Sequence, residues 1–241
     1  MRPILNASLA VAATLAGATN AQAALQARDL NGTPASAEAY YDTVLNITWL
    51  ADANYIQTSG TDADGLASFG TLSGWVNNLA LGPGGIYRDW RLPRAAPANG
   101  VAYNISSTTY DGTSSDVGYN HAGAFHELGY MFYVNLGNQG ARDTSGALTG
   151  CSPDQCLANT GPFLNLMPGP YYMQQGSWWV PYFRLYDGGY FAHPNGLPEM
   201  RGWAVHDGDI GVPVVQVPEP QTWALLLVGI AAVSALARRR S

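Results

Sequence analysis

The chain has 241 residues and a formal net charge of −6 at neutral pH, and all eleven of its basic residues are arginine. A chain in which seventeen acidic residues outnumber the basic ones is not attracted to phosphate backbones, which argues against a nucleic acid partner. Aromatic residues make up 11% of the sequence, a share that excludes an intrinsically disordered chain.

The first 23 residues have the pattern of a secretory signal peptide. Arg2 gives a short positive region, residues 4–17 are mostly Ala, Leu and Val, and residues 21–23 (Ala-Gln-Ala) form a small-x-small cleavage pattern. We therefore expect export through the Sec machinery and one globular domain over residues 24–216. Seven arginines and sixteen acidic residues would leave that domain with a net charge near −9.

The first half of the domain predicts a hairpin and an amphipathic helix. Apolar and polar residues alternate around an asparagine, so residues 40–44 are expected to pair with residues 47–50. Residues 72–79 carry apolar side chains at the helical spacing i, i+3, i+4 and i+7, and the glycine-rich residues 82–85 follow. This pattern predicts a helix that ends before those glycines.

A loop between the hairpin and the helix contains a short acidic motif. Asp62 and Asp64 are one residue apart, and Gly65 follows them. The spacing is typical of the start of a calcium-binding loop, although a complete loop needs several more oxygen ligands. Calcium is therefore a candidate ligand at these two aspartates, a solvated turn is the alternative, and no other metal or cofactor is predicted.

Residues 89–93 read Asp-Trp-Arg-Leu-Pro and predict a short strand that the proline ends. In a strand, Trp90 and Leu92 point to one face, and Asp89 and Arg91 point to the other. We expect Arg91 to form a structural ion pair with Asp89.

The middle of the domain predicts a long loop and a second helix. Residues 94–120 are mostly Gly, Ser, Thr, Asn and Asp with scattered Tyr, a composition typical of a surface loop. Apolar spacing predicts a helix from about residue 122 to Gly137. His121 and His126 are five residues apart, so on such a helix their side chains would diverge and could not readily share a metal.

The chain has two cysteines, Cys151 and Cys156. In an oxidising compartment this pair predicts a disulfide that closes a small loop. So short a ring would stabilise the fold by on the order of 2 kcal/mol, and its main effect would be on local shape. A zinc site would need more ligands than two thiols.

The aromatic-rich residues 171–206 predict a series of short strands. Trp178 and Trp179 are adjacent, so in a strand they face opposite ways and one of them points outward or into another layer. Aromatic rings stack on the flat faces of sugars, and carboxylates bond their hydroxyl groups. Trp178, Trp179, Tyr182 and Asp187 are therefore candidates for a ligand surface, and core packing is the alternative for each aromatic residue.

Blocks of sequence distributed over most of the body are similar to one family of bacterial domains. These blocks are residues 41–42, 46–55, 75, 89–93, 127–130, 132–133, 161–163, 165, 202–205 and 207–209. In them the body resembles the Lcl C-terminal domain family, named for the end domain of a collagen-like bacterial adhesin. The resemblance implies a single C-type-lectin-like α+β domain with two helices, short antiparallel strands and long loops. It also implies binding of carbohydrate or matrix rather than turnover.

The last 25 residues form a separate segment. Val217, Pro218, Glu219 and Pro220 precede an apolar run over residues 222–237, and Arg238, Arg239 and Arg240 follow it. As a helix the apolar run would be about 24 Å long, marginal for a hydrocarbon core of roughly 30 Å, and the arginines favour a cytoplasmic end. This order resembles the PEP-CTERM tail that exosortases recognise in Gram-negative bacteria, a transient membrane anchor that is processed. An ordinary anchor helix is the alternative.

No catalytic motif stands out in the sequence, which lacks a nucleophile elbow, a zinc-protease motif, a P-loop and a dinucleotide fingerprint. The sequence therefore predicts an exported, non-catalytic module that binds exopolysaccharide or other glycans. Its expected partners are the Sec machinery, an exosortase, transiently the inner membrane, and polysaccharide. Its expected destination is the cell surface or the extracellular matrix. A glycan-processing enzyme and a purely structural matrix protein are the alternatives.

Overall fold

The computed structural model describes most of the predicted globular domain, namely residues 25–33, 36–151, 155–174, 179–193 and 198–214. The predicted signal peptide, the sorting tail and Trp178 lie outside these residues. Within the described ranges, no helix is both long and apolar enough to cross a membrane.

Short antiparallel strands form two sheets. The strands are β1 (Leu25–Asp29), β2 (Ala39–Asp42), β3 (Ile47–Leu50), β4 (Pro170–Tyr172), β5 (Val180–Arg184), β6 (Gly189–His193), β7 (Val205–Asp207) and β8 (Val212–Pro213). The five-stranded sheet has the order β7-β3-β2-β1-β8, and the three-stranded sheet has the order β4-β5-β6. The aromatic-rich segment therefore forms short strands, as predicted.

In the part of the chain that the structure describes, three short helices connect the strands. They are α1 (Tyr55–Thr58), α2 (Phe69–Asn78) and α3 (Glu127–Tyr130), and α3 continues as a π-helical turn over Met131–Asn135. A 3₁₀ turn over Pro83–Gly85 follows α2. Few helices and antiparallel sheets confirm the predicted α+β class.

The predicted hairpin is confirmed, and its turn explains its register. Strand β2 pairs with β3 from Ala39 opposite Leu50 to Asp42 opposite Ile47. The Asp42 carboxylate accepts hydrogen bonds from the backbone N–H groups of Val44 and Leu45 at 2.9 and 3.0 Å, which closes the turn.

The predicted amphipathic helix is also confirmed, as α2. It begins after Ser68, whose hydroxyl accepts a hydrogen bond from the N–H group of Thr71 at 3.2 Å. Leu72 and Val76 are buried on its inner face. The helix ends where Leu79 adopts an extended backbone, just before the glycine-rich segment.

The second predicted helix begins later than the sequence pattern indicated. The segment before Glu127 is not helical, because the His126 ring caps α3 by accepting a hydrogen bond from the Gly129 N–H group at 2.8 Å. His121 and His126 therefore precede the helix. Their rings are stacked with centroids 5.5 Å apart, so the predicted divergence of the two side chains is wrong.

The segment over residues 89–93 lies in the core, although not as a regular strand. Arg91 makes one isolated antiparallel bridge to Val205. Trp90 and Leu92 are both buried, as the alternation of side chains predicted. Asp89 is exposed and has a φ angle of 63°, a turn conformation that ends the extended backbone there.

Two apolar clusters form the core. The first contains Trp49 of β3 and Trp203, whose ring centroids are 4.6 Å apart, and the edge of Phe163 packs on Trp203. The second lies under α2 and includes Ile56 and Trp90. Full burial of an aliphatic or aromatic side chain contributes about 1.5–3 kcal/mol to the free energy of unfolding, so these clusters are a main source of the stability of the domain.

Candidate functional site

A buried ion pair anchors the most distinctive polar cluster of the domain. The Arg91 guanidinium donates two hydrogen bonds to Glu127, with Nη1 2.8 Å from Oε2 and Nη2 2.7 Å from Oε1. The side chains of Arg91 and Glu127 are 11% and 10% exposed. Glu127 Oε2 also accepts a hydrogen bond from the backbone N–H group of Arg94 at 2.8 Å. The pair is therefore rigid and shielded from water.

Asp207 extends this cluster to the surface. Its Oδ1 atom accepts hydrogen bonds from Nη2 of Arg91 at 2.6 Å and from Nη2 of Arg94 at 2.7 Å. The side chains of Asp207 and Arg94 are 63% and 47% exposed. These two groups present a carboxylate and a guanidinium to solvent above the buried pair.

The fold brings these residues together from three separate segments. Asp207 ends strand β7, Glu127 begins α3, and Arg91 is held by its backbone bridge to Val205 of β7. The partners of Arg91 are 36 and 116 residues away in sequence. The predicted ion pair between Arg91 and its neighbour Asp89 is wrong, because the guanidinium turns inward to these distant carboxylates.

The charges in the cluster reinforce one another. Partial burial alone would raise the pKa of Asp207, but hydrogen bonds and charges from Arg91 and Arg94 outweigh it and lower that pKa below its usual value. Burial alone would lower the pKa of Arg91, but its hydrogen bonds to Glu127 and Asp207 raise it. Asp207 is therefore ionised at neutral pH.

The cluster forms the floor of a cavity of about 590 Å³, which we call the arginine–carboxylate groove. Its apolar and aromatic lining residues include Phe125, Tyr103, Leu45 and Ile47. Tyr103 is 39% exposed, and its hydroxyl donates a hydrogen bond to the Ala95 carbonyl at 2.7 Å. The remaining lining residues are Asn46, Arg91, Arg94, Ala95, Ala96, Pro97, Ala124, Glu127, Asp207 and Gly208.

The groove suits hydrogen bonding to hydroxyl groups better than proton transfer. A glycoside hydrolase uses a carboxylic acid with a raised pKa as proton donor. In this groove both Glu127 oxygens accept hydrogen bonds from arginine, and the pKa of Asp207 is lowered. Its exposed carboxylate is an acceptor for hydroxyl groups, and the exposed guanidinium of Arg94 is a donor.

The ligand surface predicted around Trp179, Tyr182 and Asp187 is not an open platform. Asp187 is buried, and it forms an ion pair with Arg184 at 2.6 Å. Burial raises the pKa of Asp187 despite the opposing charge of Arg184. Tyr182 is buried in the second apolar cluster, and its ring stacks on His193 with centroids 5.5 Å apart. Trp179 is partly exposed, and Trp178, the fourth residue of the predicted surface, lies outside the described residues.

The two aspartates of the candidate calcium loop form turns with their own backbone. Asp62 Oδ1 accepts hydrogen bonds from the N–H groups of Asp64 and Gly65, and these bonds lower its pKa. Asp64 Oδ1 accepts one from Leu66 N–H at 2.9 Å. Gly65 has a φ angle of 75°, and a Cβ there would lie 2.2 Å from Asn54 Oδ1. The motif therefore has a structural explanation as a tight turn packed on Asn54.

The structure joins Cys151 and Cys156 by a disulfide bond. Cys156 is buried in the first apolar cluster, and its backbone N–H group donates to the Tyr186 carbonyl at 3.2 Å. Within the described part of the chain, no group of three or more His, Cys, Asp or Glu side chains is arranged to hold a metal ion.

His121 and His126 form a buried polar pair. Neither ring is exposed, and in the described residues Nδ1 and Nε2 of His121 and Nε2 of His126 have no hydrogen-bond partner. The Tyr190 ring packs edge-on against His126 at 4.2 Å between centroids. Burial lowers the pKa of His121 to about 4, against the attraction of Asp116 and Asp111. Both rings are neutral at pH 7, because burial also lowers the pKa of His126.

Three charged residues of the groove lie in the blocks of sequence quoted above, but their convergence was not predicted. Arg91, Glu127 and Asp207 each lie in one of those blocks. Arg94, Tyr103 and Phe125 were missed, because the polar, glycine-rich loop that contains most of them has no periodic pattern.

The described fold is a mixed α+β domain with an open groove on its surface. Its C-terminal residues identify how it is exported: residues 216–241 match the PEP-CTERM protein-sorting motif. No curated protein and no solved structure matches the chain. The resemblance of the body to the Lcl C-terminal domain family has no support in these comparisons, and the C-type-lectin-like fold stays a prediction.

The sorting motif indicates the class of this protein. A PEP-CTERM tail indicates an exported protein that an exosortase processes and sorts to the cell surface. The predicted motif residues Val217 to Pro220 and the arginine cluster fall inside the match.

Proposed function

We propose that this exosortase-sorted protein is a non-catalytic polysaccharide-binding module of the cell surface or extracellular matrix. In this proposal it is exported by the Sec machinery of a Gram-negative bacterium and crosses the inner membrane before its tail is processed. The arginine–carboxylate groove is the observation that supports binding. It combines an exposed carboxylate and guanidinium with partly exposed aromatic side chains, the combination that binds sugar hydroxyls and sugar faces.

The ionisation state of the groove favours binding over hydrolysis. The pKa of Asp207 is lowered, so this carboxyl is not suited to donate a proton to a glycosidic oxygen, and both oxygens of Glu127 accept hydrogen bonds from Arg91. The buried ion pair of Arg91 and Glu127 supports the exposed ion pair of Arg94 and Asp207. Because the exposed groups are held in place, they would lose little conformational entropy on binding.

The proposal is tested by affinity electrophoresis of the protein through gels that contain exopolysaccharide isolated from the producing cells. Arg94→Gln removes the exposed guanidinium, and we expect about tenfold weaker binding, since a hydrogen bond to a charged group contributes about 1.5–3 kcal/mol. Phe125→Ala should also weaken binding, because it removes a partly exposed aromatic ring from the lining of the groove. Arg88→Gln is the matched control, since Arg88 is exposed and does not line this groove.

Each alternative function has a distinct outcome in the same experiment. Shortened polysaccharide chains after incubation would indicate a glycan-processing enzyme. Absence of retardation, together with recovery of the protein in the matrix, would indicate a structural matrix protein. Equal retardation of Arg94→Gln and Arg88→Gln would show that the groove is not the binding site.

A further inference from the structure

A second open groove lies between α1 and α2. We call it the aromatic groove. It encloses about 560 Å³, and its principal residues are Tyr55, Thr61, Thr71, Trp75 and Asn78. It shares no lining residue with the arginine–carboxylate groove. Among the described residues that line it, none is charged at neutral pH.

The two aromatic rings of this groove are fixed from below. Tyr55 and Trp75 are partly exposed, and both pack against the second apolar cluster. Because their buried edges are held in the core, their exposed surfaces can contact a ligand at little cost in side-chain entropy.

The rim of the groove supplies uncharged hydrogen-bonding groups. Thr71, Trp75 and Asn78 are at helical spacing along one flank of α2. Ser59 and Thr61, in the turn after α1, place two hydroxyl groups 3.0 Å apart on the opposite side. Hydroxyl and amide groups both donate and accept hydrogen bonds, which matches a ligand whose polar groups are hydroxyls.

A glycine in the middle of α2 has no explanation in the packing of the domain itself. Gly74 lines the groove, and a Cβ built there would have no heavy atom within 4 Å. Glycine is less stable than alanine in a helix interior, so neither helix propensity nor steric crowding favours it at this position. Its effect is to keep the groove free of a side chain next to Trp75.

We propose that the aromatic groove is a second glycan site, which takes an uncharged stretch of polysaccharide with a sugar ring on Trp75 and Tyr55. The absence of charge in its lining selects neutral sugars, whereas the first groove offers an ion pair. The inference deepens the proposed function by assigning a ligand class, and it does not require that the first groove binds.

Gly74→Ala separates binding from folding, because it adds one methyl group to open space. The probes are dextran, laminarin and galactomannan, each cast in a native gel with the full-length protein. We expect at least one of these neutral polysaccharides to retard the protein, and Gly74→Ala to weaken that binding at least tenfold while raising the melting temperature. Gly70→Ala is the matched control: it lies in the same helix, outside the groove, and its Cβ would also be unhindered.

Asn78→Ala, at an exposed position, gives a second test that leaves Gly74 itself unchanged and removes the amide that donates a hydrogen bond to the Gly74 carbonyl at 2.8 Å. It should weaken retardation by the neutral probe, while Arg94→Gln in the first groove should leave it unchanged. Absence of retardation by all three probes would overturn the proposal, as would equal binding by Gly74→Ala and Gly70→Ala. Loss of neutral binding in Arg94→Gln would instead assign the ligand to the first groove.

Discussion

Arg91 is the residue on which the charged cluster depends. Its guanidinium contacts two carboxylates from distant segments, and one of these contacts is shielded from water. A residue that joins β7 to the start of α3 in this way fixes the floor of the groove before any ligand arrives.

Replacing Glu127 should therefore be costly for the fold. Glu127→Gln removes the buried one of the two carboxylates that pair with Arg91, and we expect a loss of about 3 kcal/mol in the free energy of unfolding, measured by urea denaturation. Asp89→Asn is the control, since Asp89 is exposed and is not the partner of Arg91. We expect that change to stay within about 0.5 kcal/mol. Equal losses in the free energy of unfolding for Glu127→Gln and Asp89→Asn would contradict this pairing and favour the ion pair between Arg91 and Asp89 that the sequence suggested.

The buried histidines predict a stability that depends on pH. In the unfolded chain a histidine has a pKa near 6.5, whereas burial holds the pKa of His121 at about 4. Between these values the unfolded state binds more protons than the folded state, so stability is complete above pH 6.5 and falls as the pH drops towards 4. From pH 8 to pH 5, His121 alone accounts for a loss of about 2 kcal/mol.

Urea midpoints at pH 8 and pH 5 measure this effect. His121→Gln should reduce the difference between the two midpoints, and His193→Gln, at an exposed position, should leave it unchanged. A wild-type midpoint that does not fall between pH 8 and pH 5 would show that the pair is not buried as neutral imidazoles.

At the scale of the element, the sequence predicted those helices and strands whose stabilising contacts are between residues close together in the chain. The β2–β3 hairpin and α2 were predicted because their turn, cap and apolar spacing all lie within a few residues of one another. The start of α3 was placed too early, because apolar spacing does not show that the His126 ring would cap the helix at Glu127. The segment over residues 89–93 was predicted as a strand for a similar reason, since alternation shows which side chains are buried but not whether a neighbouring strand is available.

The cap of α2 gives a prediction at this scale. Ser68→Ala removes the hydroxyl that accepts a hydrogen bond from Thr71 N–H, and it should lower the free energy of unfolding by about 1 kcal/mol. Ser73→Ala, inside the same helix, is the control and should be neutral or slightly stabilising, because alanine has the higher helix propensity. Thermal or urea unfolding of both variants distinguishes a cap from a general effect of losing serine.

At the scale of the whole molecule, the sequence predicted the α+β class and the sorting tail but not the grooves. The tail is a short contiguous pattern, so residues 216–241 can be recognised without a fold. The arginine–carboxylate groove depends on contacts between residues up to 116 positions apart, which no periodicity records. Tyr182 and Asp187, expected at a ligand surface, are buried, and aromatic density in a sequence does not distinguish a core strand from an exposed one.

We infer above all that the sorting tail directs the globular domain to the outside of the cell. The most direct test is the intact mass of the protein in each cell fraction of the producing cells, with and without Pro218→Ala and Pro220→Ala, and with Pro83→Ala as an exposed control. We expect the unaltered protein and the control to lose a C-terminal segment that includes Arg238–Arg240 and to reach the cell surface, while the motif variant keeps that segment. Retention of Arg238–Arg240 by all forms, in the membrane fraction, would contradict sorting and indicate a permanent anchor.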